Sequence, residues 1–110
     1  MKGEVERYRI HLADFDPARG REIAKTRPVV IVSQDAMNRN LDTVVVCPVA
    51  TKLHRQWRSR IQITCARRKA EIAVDQIRTI SKGRLGKRTD RLEASTAAQL
   101  RHLITEMYGQ

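Results

Sequence analysis

Little in this chain invites metal or redox chemistry. Its two cysteines, Cys47 and Cys65, stand 18 residues apart with no CxxC spacing or Cys/His cluster around either, so both read as small apolar strand residues. An apolar run of signal-peptide or membrane-spanning length is also missing, and Met1 to Arg9 is densely charged. The expected location is therefore cytoplasmic, with no membrane partner. Repeats, low-complexity tracts and linkers are absent, so the 110 residues are expected to form one domain, 1–110, that buries about two-thirds of its unfolded surface. Acidic residues are the last scarcity. Asp and Glu number 12 against 22 Lys and Arg, a formal net charge of +10 with pI near 10.6, which favours a polyanionic partner, either nucleic acid or an acidic protein. A merely soluble basic surface is the plain alternative.

What is present is patterned. Tyr8, Ile10 and Leu12 alternate with Arg9, His11 and Ala13, predicting a half-buried strand that ends near Phe15. A turn-rich loop, 16–26, follows. Val29 to Val32 and Val44 to Val49 are β-branched runs interrupted only by Cys47 and Pro48, as central strands buried on both faces would be. Between them, the polar Ser33 to Leu41 has room for one short helical turn. Arg60 to Ala66 alternates as a strand with one wet face, and its exit turn is expected at 67–69. Ile72 and Val74 share a parity that Ile77 breaks. Either a bulge or bend sits at Asp75-Gln76, or the strand ends at Val74.

Ser81 to Arg91 is basic and punctuated by Gly83 and Gly86, with no element assigned to it. Ala97, Leu100, Leu103, Ile104 and Met107 recur at helical spacing, with Ser95 or Thr96 as N-cap, Gln99 completing a capping box from Thr96, and Gly109 as terminator. The expected architecture is α+β: a small, mostly antiparallel β-barrel closed by a C-terminal helix.

The residues best suited to chemistry lie before the second strand. Arg27 precedes Pro28, which biases it toward extended backbone and narrows where its guanidinium points. That group keeps its charge at physiological pH and its fork matches phosphate oxygens. A phosphate site is the natural reading, and a surface or interface salt bridge is the plain one.

Three linked segments carry a resemblance. Asp14 to Ser33, with its Thr26-Arg27-Pro28 exit, then Pro48-Val49-Ala50-Thr51, then Asp75-Gln76-Ile77-Arg78-Thr79-Ile80 with Lys82, Arg84 and Leu85, together resemble the MazF/PemK/Kid family of toxin endoribonucleases. The similarity spans nearly the whole chain in order and spacing, and three linked segments are far more specific than any one. It implies an SH3-like barrel, a homodimer, and a toxin neutralised by an acidic, MazE-like antitoxin. It also implies cleavage of single-stranded RNA at short sequence motifs with neither metal nor cofactor, the ribose 2′-hydroxyl attacking its own phosphate to leave a 2′,3′-cyclic phosphate and a 5′-hydroxyl.

Site residues follow from the same resemblance. Arg27 matches the family's catalytic arginine, a clamp on the scissile phosphate. Glu22 keeps the offset of a functional glutamate and either accepts the 2′-hydroxyl proton or orients Arg27. Arg21, where some relatives carry histidine, and Lys25 supply further phosphate contacts. The threonine tied to catalysis in relatives falls on Ala50, and Thr51 comes one place later. The role passes to Thr51 only if the strand end is bulged or already turning into loop.

Asp75 and Gln76 match an Asp-Gln pair that touches RNA; alternatively they pin a bulge. Arg78 belongs to the binding surface or to a structural pair. In the basic loop from Lys52 to Arg60, Trp57 beside Arg58 either stacks a base or covers a barrel end or dimer seam. His11 reads as a filler, and no histidine pair is identifiable among His11, His54 and His102. Two other readings stay open: a CcdB-like gyrase-inhibiting toxin, or an RNA-binding relative whose activity was lost with the threonine at position 50.

Overall fold

The computed structural model describes residues 5–14 and 26–109. Most of the loop 16–26, with Arg21, Glu22 and Lys25, lies outside the described residues. Among the described residues, seven strands and two α-helices follow in order: β1 (Arg9–Asp14), β2 (Thr26–Ile31), α1 (Asp35–Asn40), β3 (Thr43–Ala50), β4 (Arg60–Cys65), β5 (Arg68–Ala73), β6 (Arg78–Ser81), β7 (Leu85–Arg91) and α2 (Ala94–Tyr108). The strand order is β4-β5-β3-β2-β1-β7, and β6 adds to β3. Every pairing is antiparallel, so the sheet curls as a half-barrel of the expected class.

β3 is the hinge of this curl. Along one edge its first half, Thr43 to Val46, pairs with β6, and its last two residues, Val49 and Ala50, pair with β5. The strand partner must therefore break opposite Cys47 and Pro48. It does so in a 3-10 turn, Val74–Gln76, which is the bend expected at Asp75-Gln76. Pro48, with no N–H to give, falls where the ladder changes partner. Two hydrogen bonds hold the turn from outside: Val74 N donates to Ser59 O at 3.0 Å, and the Tyr108 hydroxyl donates to Val74 O at 3.0 Å.

Each sheet face has its own apolar cluster. One gathers Ile10, Val30, Cys47, Val49, Ile61, Ile72 and Val74 beneath α2, whose Ala97 and Leu100 are buried and whose Leu103, Ile104 and Met107 pack at the margin. The other holds Ala13, Val29, Ile31, Val44, Val46, Ile80 and Leu85. With both faces covered, the β-branched runs of β2 and β3 are explained. Both cysteine thiols are free and buried; burial, then the Asp75 charge, pushes Cys47 up to about 12.

Four expectations are corrected. β1 is not half-wet: His11 and Ala13 are buried along with Ile10, because the second cluster covers the face opposite Ile10. The β4–β5 turn is Ala66-Arg67, both at positive φ (51° and 67°), and Arg68 and Lys69 already pair with Cys65 and Thr64. This two-residue turn lacks the Asn-Gly that advertises it in sequence. Residues 85–91 form β7, which holds by pairing with β1 around two register shifts and buries only Leu85. No apolar alternation could reveal such a strand. Finally, α2 begins at Ala94 with Glu93 as N-cap and no side-chain cap, so Ser95 and Thr96 lie inside its first turn and the capping box does not form. Gly109 does end the helix, its N–H bonded to Thr105 O at 2.8 Å.

Candidate active site

One transverse row of side chains organises the face opposite α2. Ala13 pairs with Arg27, Ala50 with Glu71, and Glu71 with Gln62. Val29 pairs with Pro48, and carrying that register two residues on sets Arg27 across from Ala50. Directly opposed residues share a face. The row therefore reads Ala13, Arg27, Ala50, Glu71, Gln62 across five strands. At about 4.8 Å per strand, the Arg27 and Glu71 backbones stand roughly 10 Å apart, with the small Ala50 between them.

Glu71 is the unexpected member. It is fully buried yet ionic, and four nitrogens surround its carboxylate. His54 N bonds Oε1 at 2.7 Å, Gln62 Nε2 bonds Oε1 at 2.8 Å, Arg60 Nη1 bonds Oε2 at 2.5 Å, and His54 Nδ1 lies 3.2 Å from Oε2. Arg60, itself buried, turns its Nε and Nη2 to the Asp75 carboxylate at 2.8 and 3.3 Å. A guanidinium bridging two carboxylates satisfies the requirement that buried charge be paired and hydrogen-bonded.

The electrostatics follow. Burial alone would raise the Glu71 carboxyl, but the bonds from His54 N, Gln62, Arg60 and the His54 ring outweigh it and hold it at about 2. Burial likewise pushes Asp75 up and is overcome, chiefly by the Arg60 hydrogen bonds, so it too stays below its ordinary value. Arg60 is raised, first by its bond to Asp75. All three are firmly charged, and none is a proton donor near neutral pH.

Above this buried layer lies a platform. Trp57 stacks on His54 with centroids 3.9 Å apart and planes 23° apart, and the Arg60 guanidinium sits 4.8 Å from the indole centroid. The indole remains 49% exposed, so one of its faces is propped from below while its surface stays open to a ligand. Main-chain bonds from Trp57 N to His54 O (2.9 Å) and Arg60 N to Trp57 O (3.3 Å) fold the 51–59 loop around it.

The sequence candidates are distributed as follows. Arg27 is exposed on β2, and Arg78 is exposed on β6, paired to Val46 and so on the same face. Thr51 is exposed in a bend just past β3, freed from strand alternation. Gln76 and Arg58 are exposed, and Asp75 is engaged by Arg60. Other basic residues serve the fold: Lys82 Nζ donates to Asn38 O, and to Leu41 O at 2.9 Å, at the end of α1, and Arg84 Nη1 donates to Asp14 O at 3.0 Å. Among the described residues, no three His, Cys, Asp or Glu side chains come together as metal ligands, and no helix is long and apolar enough to cross a membrane.

Sequence reasoning missed His54, Arg60 and Glu71. A signal existed for one of them. Glu71 interrupts the apolar run Ala70-Glu71-Ile72-Ala73-Val74, and a carboxylate on a buried strand requires a cation.

A family model described as a PemK-like, MazF-like toxin of type II toxin–antitoxin systems matches residues 6–108. The endoribonuclease MazF of Staphylococcus saprophyticus is 28% identical over 110 residues, covering 96% of this chain and 92% of that protein. Among solved structures, a chain of the MazE-MazF crystal structure (Form-II) from Deinococcus radiodurans superposes with TM-score 0.84 at 16% identity, covering 99% of each chain. The Mycobacterium tuberculosis toxin MazF-mt6 superposes with TM-score 0.76 at 24% identity, covering 91% of this chain and 95% of that one.

Proposed function

The chain belongs to the PemK-like, MazF-like family of type II toxin–antitoxin toxins, and on that premise we propose that it is a sequence-specific endoribonuclease acting as one domain, 1–110. Its substrate is single-stranded RNA, cut by in-line attack of a ribose 2′-hydroxyl on the adjacent phosphate, with 2′,3′-cyclic phosphate and 5′-hydroxyl products. No step of this route needs a bound metal or cofactor. Arg27 clamps the scissile phosphate and neutralises charge that develops on its oxygens. Thr51 adds a hydroxyl donor from the bend after β3, and Glu22 orients Arg27. Arg21, Lys25, Arg58, Arg78 and Gln76 line the strand's path, Asp75 shapes that surface through Arg60, and Trp57 stacks a base.

The observation that carries the reading is the placement of Arg27, exposed at the start of β2 on a row that leads to the platform under Trp57. The same row links Arg27, two strands away, to Glu71, whose partner His54 carries the Trp57 stacking surface. An acidic MazE-like antitoxin is the fitting partner for a net charge of +10, and a homodimer is the fitting assembly. Digestion of a long mixed-sequence RNA in chelator, with the product ends mapped, tests the whole reading at once. Discrete cuts with 5′-hydroxyl ends support it. Folded protein that binds RNA and cuts nowhere would sink it, and gyrase capture without RNA cleavage would move the chain to the CcdB-like class.

A further inference from the structure

The row leaves one chemical task without an owner. Relatives' threonine is replaced by Ala50, which offers no polar side-chain atom, and Arg27 cannot accept a proton. Next to Ala50 on the row stands Glu71, and Glu71 holds an imidazole. His54 is fixed at three points: its main-chain N–H and its Nδ1 both address the Glu71 carboxylate, at 2.7 and 3.2 Å, and its ring lies flat on Trp57 at 3.9 Å. Its side chain keeps 26% of its surface exposed, and its Nε2 makes no hydrogen bond among the described residues.

Nδ1 also lies 3.2 Å from Arg60 Nη1. That guanidinium nitrogen carries two hydrogens and gives one to Glu71 Oε2 at 2.5 Å; a bare Nδ1 could take the other, but it would set its own lone pair against Glu71 Oε2 at 3.2 Å. We therefore assign the ring proton to Nδ1, which leaves the lone pair of neutral His54 on Nε2. A carboxylate behind Nδ1 fixes the tautomer and stabilises the imidazolium that forms when Nε2 takes a proton.

We propose that His54, oriented by the buried Glu71, is the group that accepts the 2′-hydroxyl proton, in place of the hydroxyl chemistry lost at Ala50. The inference rests on the ribonuclease reading. As the O2′–P bond forms, the 2′-hydroxyl proton passes to His54 Nε2; as the P–O5′ bond breaks, water protonates the departing 5′ oxygen. The hydroxide so formed takes the proton from the imidazolium, and the enzyme is restored with no net proton change. Glu71 is a positioning residue in this scheme, and Trp57 both seats the ring and stacks the base.

The test is single-turnover cleavage at saturating RNA by wild-type protein, His54→Ala and His54→Gln, with and without added imidazole, alongside RNA affinity and thermal melts. His54→Gln keeps a polar group against Glu71 and guards against a misfolded alanine variant. A general base of this kind contributes about 10²–10⁴-fold, so both variants should lose at least 100-fold in rate with little change in affinity. Imidazole should restore at least tenfold to His54→Ala. Cleavage by either folded variant within threefold of wild type overturns the role of His54 and leaves the ribonuclease reading standing. A loss that imidazole does not restore overturns proton transfer in favour of seating alone. Absence of cleavage by folded wild-type protein overturns the ribonuclease reading, and this inference with it.

Discussion

Glu71 and His54 are joined twice, through the His54 main-chain N–H at 2.7 Å and the ring Nδ1 at 3.2 Å. The double contact binds the 51–59 loop to β5.

Arg60→Met should be strongly destabilising. It leaves two carboxylates, one fully buried, without their cation, a change expected to cost about 3–5 kcal/mol. Adding Glu71→Leu removes the uncompensated charge and should return part of that loss. Urea unfolding of both singles and the double closes the cycle, and strict additivity would show that the pair is not coupled.

Stability should decline in two stages as pH falls. Burial, assisted by the charges of Arg88 and Arg9 against the Gly86 carbonyl, lowers His11 below 6.5. The unfolded chain binds that proton more readily than the native state, so stability is full above 6.5 and drops as pH goes below it. Glu71 acts lower: its native value of about 2 lies below the ordinary 4.5. Its contribution, about 3 kcal/mol, is complete above 4.5 and is lost progressively toward 2. Urea midpoints measured from pH 8 to 2.5 should show both stages. A His11→Gln variant that keeps the first decline would disprove that assignment.

Arg27→Ala should lower cleavage by about 10²–10³-fold, the effect of removing one preorganised donor to a developing oxyanion. Because Arg27 is exposed, its melting temperature should be unchanged. Thr51→Ala should lose activity that Thr51→Ser retains. Equal rates for all three position-51 proteins would remove that hydroxyl from the mechanism.

Trp57→Ala should weaken single-stranded RNA binding by about 1–3 kcal/mol, and Trp57→Phe should recover most of it. Fluorescence anisotropy with short oligonucleotides reads the difference. A Trp57→Ala protein that binds as tightly as wild type would assign the indole to packing alone.

Arg67→Gly should stabilise the fold by about 0.5–1 kcal/mol. Arg67 holds φ 67° beside Ala66 at 51°, a turn that asks for residues at ease in the left-handed region. A lower urea midpoint for the variant would show that the arginine side chain contributes more than its backbone strain removes.

The sequence made the core legible where burial leaves a period. The valine runs of β2 and β3, the α2 stripe from Ala97 to Met107, and the parity break before Ile77 all correspond to elements or bends. β7 left no such trace, since it forms through main-chain bonds to β1 and packs a single side chain. The Ala66-Arg67 turn was hidden for a related reason, because its conformation is imposed by the hairpin on residues that do not favour it. Within the candidate site, Arg27 was legible through its motif. His54, Arg60 and Glu71 were not, since nothing local to each residue encodes that a loop, an edge strand and a central strand meet there.

The span from Arg27 to Glu71 is a property of the hydrogen-bond ladder, two inter-strand steps wide, and owes nothing to the identity of the side chains between them. Such a gauge is indifferent to drift. Substitutions can accumulate along the flanks, and the position between can trade a hydroxyl for a methyl, without altering the gap across which an RNA backbone would have to lie. A slip of one residue in the β2–β3 register would instead turn Arg27 to the helix side and erase the gauge in one step. Along this row, divergence at the exposed positions is therefore tolerated in composition and nearly forbidden in register.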